Sequence, residues 1–166
     1  LAVYLLLAFP LKSYSQPLVI MSVIPFSLTG AVFGHYLMGF ELSMMSIFGV
    51  IAAAGVVVND SLVLTDNINN TKQDNVSNKQ ACIMASKSRF RAIILTSLTT
   101  FLGLIPIMFE SSLQAQMVIP MAISLAFAVL YATLITLVLV PCFYVIKDDL
   151  QQLLMKIFKR NPPSLK

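Results

Sequence analysis

Four stretches of this chain, residues 17–38, 43–65, 92–109 and 118–146, stay apolar for about as long as a membrane is thick. A hydrocarbon core of about 30 Å takes about 20 helical residues to cross. Lipid offers the backbone no hydrogen-bond partner, so each stretch is constrained to be an α-helix. A fifth stretch, residues 1–9, is only half that length and opens without a methionine or a charged flank. It lacks the cleavage pattern of a signal peptide and reads as the end of a helix, so the chain is expected to be the C-terminal piece of something larger.

Composition agrees with this reading. Hydrophobic residues make up 58% of the 166 and charged ones 11%, whereas soluble domains are about 45–50% apolar and about 25% charged. The expected fold is an all-α integral membrane helix bundle: the end of one span plus four complete transmembrane helices over residues 1–146, then a cytoplasmic tail over 147–166.

The basic residues orient it. Lys12, Lys72, Lys79, Lys87, Arg89, Arg91, Lys147, Lys156, Lys159, Arg160 and Lys166 all fall on one side of the expected topology, and residues 39–42 and 110–117 on the other side contain none. Lys and Arg accumulate in cytoplasmic loops, which puts the C-terminus inside. The net charge of +4 is thereby explained without nucleic acid, since no basic groove with interleaved aromatics is present. Membrane lipid is the expected counter-charge. Cys82 and Cys142 both fall on the cytoplasmic side, where neither a disulfide nor a metal site is expected.

Between the second and third complete spans, residues 67–78 are rich in Asn and read as a turn-rich linker. Ser77 and Gln80 are spaced as a capping box, and Ala81, Met84 and Ala85 then repeat at helical spacing. This predicts a short amphipathic helix along the cytoplasmic face. In the tail, Leu150, Leu153, Leu154, Ile157 and Phe158 form one helical stripe with Lys156, Lys159 and Arg160 opposite, the pattern of an interfacial helix. Pro162 and Pro163 end it.

One residue breaks the apolar pattern. Asp60 lies inside the second complete span, where a carboxylate costs roughly 2.5–3.5 kcal/mol on insertion scales and marks an interior or an ion pathway. The helical period places Ala52, Gly55 and Asn59 on one stripe and Ala53, Val56, Val57 and Asp60 on the next. Small residues there permit close helix contact. Asn59 can hold Asp60 or a neighbour by hydrogen bonding, and Asp60 can gain or lose a proton. On the third span Thr96, Thr99, Thr100 and Gly103 share a face. Thr99 and Thr100 are read as bonding their own backbone.

The run Gly55-Val-Val-Val-Asn-Asp-Ser-Leu-Val-Leu64, followed by Arg89-Phe-Arg-Ala-Ile-Ile-Leu-Thr-Ser-Leu-Thr-Thr-Phe-Leu-Gly-Leu-Ile-Pro106, resembles the C-terminal membrane region of resistance-nodulation-division efflux permeases of the hydrophobe/amphiphile multidrug type. The closing Val138-Leu-Val-Pro-Cys-Phe-Tyr144 resembles the end of their last helix. The resemblance covers nearly the whole chain, from the final half of the eighth helix through the twelfth.

It implies a homotrimeric inner-membrane pump that exchanges periplasmic protons for exported compounds. Such a pump works with a periplasmic adaptor and an outer-membrane channel, needs no cofactor beyond the proton gradient, and contains an N-terminal part that this sequence does not. In such permeases a pair of acids on the fourth helix shares the proton site with polar residues on the tenth and eleventh. Asn59 falls where the drug pumps carry a lysine, Thr96 matches their polar residue on the eleventh helix, and Arg89 matches a basic residue at the cytoplasmic mouth. An ammonium could exchange partners with the acids; Asn cannot. The tenth helix is the pseudo-repeat counterpart of the fourth, so Asn59-Asp60 resembles the acid pair itself. Asp60, Asn59 and Thr96 are therefore the expected proton relay, with Arg89 at its mouth.

His35, near the outer end of the first complete span, reads as structural, and Glu41 and Glu110 at the outer mouth read as solvated loop acids that could attract protons. Pro25, Pro106, Pro120 and Pro141 are expected to shape kinks or helix ends. The nine methionines read as core filler. No phosphate loop, metal-ligand spacing or nucleophile elbow is present, so no enzyme is expected. Two other readings share the topology: an accessory of protein translocation, and a non-transporting sterol-sensing or scaffold module in which Asp60 is only a hydrogen-bonding group.

Overall fold

The computed structural model describes residues 2–11, 15–72 and 78–160, and for 147–160 the path of the helix alone. It is built of six helices: α1 (Ala2–Leu11), α2 (Gln16–Met21), α3 (Ile24–Met38), α4 (Met44–Lys72), α5 (Asn78–Met108) and α6 (Leu113–Arg160). Gln16–Met38, α4, Lys79–Met108 and Leu113–Ile146 are long and apolar enough to cross a membrane. The expected all-α membrane bundle with four complete spans is thus observed.

α6 is the centre of the bundle, and α3, α4 and α5 each pack on it more extensively than on one another. Its inner face is small: Ala122, Ala126, Ala128 and Ala132 are all buried. Small residues let backbones approach, which is how helices associate where lipid removes the hydrophobic driving force. Gly49 of α4 lies directly against Met121 and Ser124 of α6, and Gly30 and Gly34 of α3 lie against Phe127 and Tyr131. A Cβ at any of the three would collide. α1 and α2 flank the other side of α4, where Leu7, Leu11 and Ile20 pack with Val58 and Leu62.

The boundaries depart from expectation in four places. Residues 17–38 are two helices, broken by a turn at Ser22 and Val23. Pro25 has no N–H to give and its ring clashes with the carbonyl four residues back, and the Ser22 hydroxyl instead donates to Val19 O at 2.6 Å. α4 runs to Lys72, through the first half of the expected linker. Its polar side chains find partners there instead of ending the helix: Asn67 donates to Ala85 O at 3.2 Å and to Ser88 Oγ at 2.8 Å, and Asn70 donates to Asp66 Oδ2 at 3.2 Å.

The third difference is at α5, where the expected amphipathic helix and the third span form one continuous rod. The small Ala81 and Ala85 let the polar segment pack into the same core as Ile93, all three being buried, so nothing forces a bend. Ser77 of the proposed capping box lies outside the described residues. Lastly, α6 passes without interruption from its span into the tail; the amphipathic stripe and Pro162–Pro163 lie outside what is described. Pro106, Pro120 and Pro141 sit inside α5 and α6. At the opposite end Gly39 closes α3 with φ +71°, the left-handed cap glycine favours, and Phe40 N–H bonds His35 O at 3.2 Å.

Candidate functional site

Asp60 lies near the middle of the 29-residue α4. The buried residues of that helix, Ser46, Gly49, Ala53, Val57, Asp60, Ser61, Leu64, Thr65 and Ile68, recur every three or four positions. Asp60 belongs to this inward stripe and is 8% exposed. The helix is held on both sides of it. Two turns toward the lysine-rich end Asn67 is bonded to α5, and three turns the other way Gly49 is seated on α6.

The carboxylate is nonetheless unsatisfied. Asp60 Oδ2 is shielded and has no hydrogen-bond partner among the described residues. The neighbouring Ser61 hydroxyl is already committed to Val57 O at 2.8 Å. A buried polar atom without a partner forfeits about 1–3 kcal/mol, and more for a charged group. Few buried groups in a folded protein are left so. The arrangement suits a group that holds a proton in one state and surrenders it in another.

The other expected site residues stand apart from this one. Asn59 is exposed, on the stripe shared with Ala52 and Gly55, a third of a turn from Asp60. It makes no hydrogen bond to Asp60 and instead lines a cleft of about 440 Å³ with Val3, Leu7, Ile24 and Leu62. The division into two adjoining stripes read from the sequence is therefore observed, while the Asn59–Asp60 pairing is not. Close helix contact comes from Gly49, whereas a Cβ at Gly55 would meet nothing within 4 Å.

Thr96 is exposed on α5 and donates to its own backbone at Ala92 O, 3.0 Å away. Thr99 and Thr100 do the same toward Leu95 O and Thr96 O, as read from the sequence. Arg89, two turns from Thr96 on the same face, is exposed. The hydroxyl face of α5 thus points away from the bundle formed by this chain.

Two buried polar contacts were not foreseen. Ser97 Oγ meets Thr133 Oγ1 at 2.6 Å between α5 and α6. His35 Nε2 meets Ser124 Oγ at 2.9 Å between α3 and α6, and His35 is 3% exposed. The sequence reads His35 as structural, and this bond places it between two helices. Ser97 had a signal in the sequence, since it falls on the buried stripe of Ile93. Ser124 and Thr133 look like any small residue of an apolar helix.

Comparison with known proteins adds the context for these residues. The family model described as AcrB/AcrD/AcrF matches residues 1–148. The chain belongs to this family, the efflux permeases that its motifs resemble. It is 30% identical over 151 residues to the multidrug resistance protein MdtC of Proteus mirabilis (strain HI4320), an alignment covering 90% of this chain and 15% of the relative. Two crystal forms of a heavy metal efflux pump superpose with TM-scores of 0.78 and 0.74 at 28% and 31% identity, covering 88% and 86% of this chain and 15% of the pump. The chain thus spans about a seventh of the length of the AcrB/AcrD/AcrF-type proteins it matches. The faces of α4 and α5 that carry Asn59 and Thr96 are uncovered over that seventh alone.

Proposed function

We propose that this chain is the membrane portion of a proton-driven resistance-nodulation-division transporter that exports drugs or other amphiphilic compounds by proton antiport, with Asp60 as a coupling group. The observation that carries the reading is the Asp60 carboxylate, buried at mid-span with an unpartnered oxygen. Such a group can alternate between a neutral, protonated form and a charged form that needs a partner, so its protonation biases one arrangement of the surrounding helices over another.

Asn59, Thr96 and Arg89 are the proposed remainder of the proton path. Their outward faces fit a role toward helices of the remaining N-terminal part of the permease. The basic residues set the proposed orientation, with the lysine-rich end and the C-terminus in the cytoplasm and the molecule in the bacterial inner membrane. A homotrimer joined to a periplasmic adaptor and an outer-membrane channel is the proposed assembly. The amphiphile reading follows the multidrug relative. Among the described residues no three His, Cys, Asp or Glu side chains converge as a metal site would require.

The test is export by the full-length protein in vesicles under an imposed proton gradient. Asp60→Asn keeps size and removes the titratable charge. Loss of gradient-driven export, with normal expression and folding, is expected; unchanged export would remove Asp60 from the proton path. A panel of amphiphilic dyes beside divalent and monovalent soft metals reads out the substrate class.

A further inference from the structure

At the lysine-rich end an apolar cleft of about 680 Å³ lies between α5 and α6. On the α5 side it is lined by Lys79, Ser86 and Lys87, among apolar neighbours, and on the α6 side by a row that includes Val138, Cys142 and Ile146. These last three also line a second apolar cleft, of about 470 Å³, on the other flank of α6. They therefore form a ridge with a trough on either side.

Three features of this cleft point to one kind of occupant. Its body is almost wholly apolar, while its α5 rim carries two cations about 12 Å apart along the helix, eight residues at 1.5 Å each. Neither Lys79 nor Lys87 has a carboxylate partner among the described residues, and both are exposed. The Ser86 hydroxyl, on the same lining, is shielded and makes no hydrogen bond among the described residues. Finally, Lys87 stands five residues, about 7.5 Å, before the apolar run that begins at Ala92, at the depth of the headgroups, Lys79 lies two turns farther out, and the second trough continues along α6 to Leu134, toward the hydrocarbon. Basic pockets between transmembrane helices at this depth bind anionic lipid headgroups.

We infer that this cleft is a binding site for one anionic phospholipid. The phosphate is held at Lys87, Lys79 adds attraction at the outer end of the cleft, a rotation of the Ser86 side chain lets its hydroxyl donate to an ester or phosphate oxygen, and the two acyl chains straddle the Val138–Cys142–Ile146 ridge. The site uses none of the residues assigned to the proton path and stands whether or not Asp60 couples transport.

The full-length protein is reconstituted in phosphatidylcholine vesicles containing phosphatidylglycerol, re-extracted in mild detergent, and its retained lipids are identified by native mass spectrometry. Phosphatidylglycerol is expected to be enriched roughly tenfold over phosphatidylcholine, since each lysine near the surface contributes a several-fold preference. Lys79→Gln with Lys87→Gln removes that enrichment, and Lys79→Arg with Lys87→Arg keeps it. Val138→Trp fills the trough and expels the lipid with both lysines in place. A benzophenone attached at Cys142 cross-links to lipid on illumination. Equal retention of the two lipids, enrichment that survives the double glutamine variant, or a cross-link to a peptide of the protein would each overturn the assignment.

Discussion

Asp60 and the glycines show how differently two residues of one helix can constrain a membrane protein. An unsatisfied carboxylate opposes folding, so Asp60→Leu is expected to raise the apparent Tm of the detergent-solubilised protein while abolishing gradient-driven export, a split that a structural acid would not give. Gly49 is the reverse case. Any Cβ there meets the backbone of α6, which cannot step aside, so Gly49→Ala is expected to cost about 1–3 kcal/mol in a thermal unfolding series. Gly55→Ala and Gly103→Ala, whose added Cβ meets nothing within 4 Å in this chain, should be neutral or gain up to about 1 kcal/mol from the better helix former in this chain alone, and a loss in the full-length permease would mark those faces as contacts with its remaining helices. His35→Ala should cost about 1–3 kcal/mol by stranding Ser124, and a double-mutant cycle with Ser124→Ala should show the two coupled. Of these residues, Asp60 was legible because a charge in an apolar run needs a reason. Asn59 and Asp60 were correctly placed on adjoining stripes by the helical period. The hydrogen bond expected between them is absent, because adjacency in sequence puts two side chains about 100° apart around the axis. Which glycine meets a neighbour depends on helix crossings that no single segment encodes.

At the scale of elements, the spans were legible from length and hydropathy alone, and their ends were not. The polar run reads as a loop, yet Asn67, Asn69 and Asn70 continue α4, Asn67 and Asn69 bonding to other helices and Asn70 to the preceding turn. Asn69 pairs with Gln16 through two amide hydrogen bonds of 3.1 and 3.2 Å, and Tyr144 Oη lies 3.5 Å from its Oδ1. Lys72 Nζ sits 5.1 Å above the Tyr144 ring. This cluster ties α2, α4 and α6 together at the lysine-rich end. The continuity of α5 is directly measurable. Spin labels at positions 83 and 98, 15 residues apart, should give a narrow distance distribution centred near 22 Å at about 1.5 Å per residue, plus label linkers. A bend between an interfacial helix and a separate span would shorten and broaden it.

On the scale of the whole molecule, family membership was legible from two motifs in order, and the central position of α6 was not. α6 is the least marked stretch of the sequence, with no charge between Leu113 and Ile146, and its importance lies in what packs on it. Val57, Leu64, Ile93, Ala132 and Val140, from three helices, form one buried cluster. α3, α4 and α5 touch one another much less than each touches α6. That geometry carries a timing consequence for biosynthesis. Of the four membrane-crossing helices described, the one on which the others assemble is the last to leave the ribosome. Until it arrives, Asp60, Ser97 and His35 stand in lipid with their inner faces open, and a nascent chain halted before Leu113 is a natural substrate for membrane quality-control proteases.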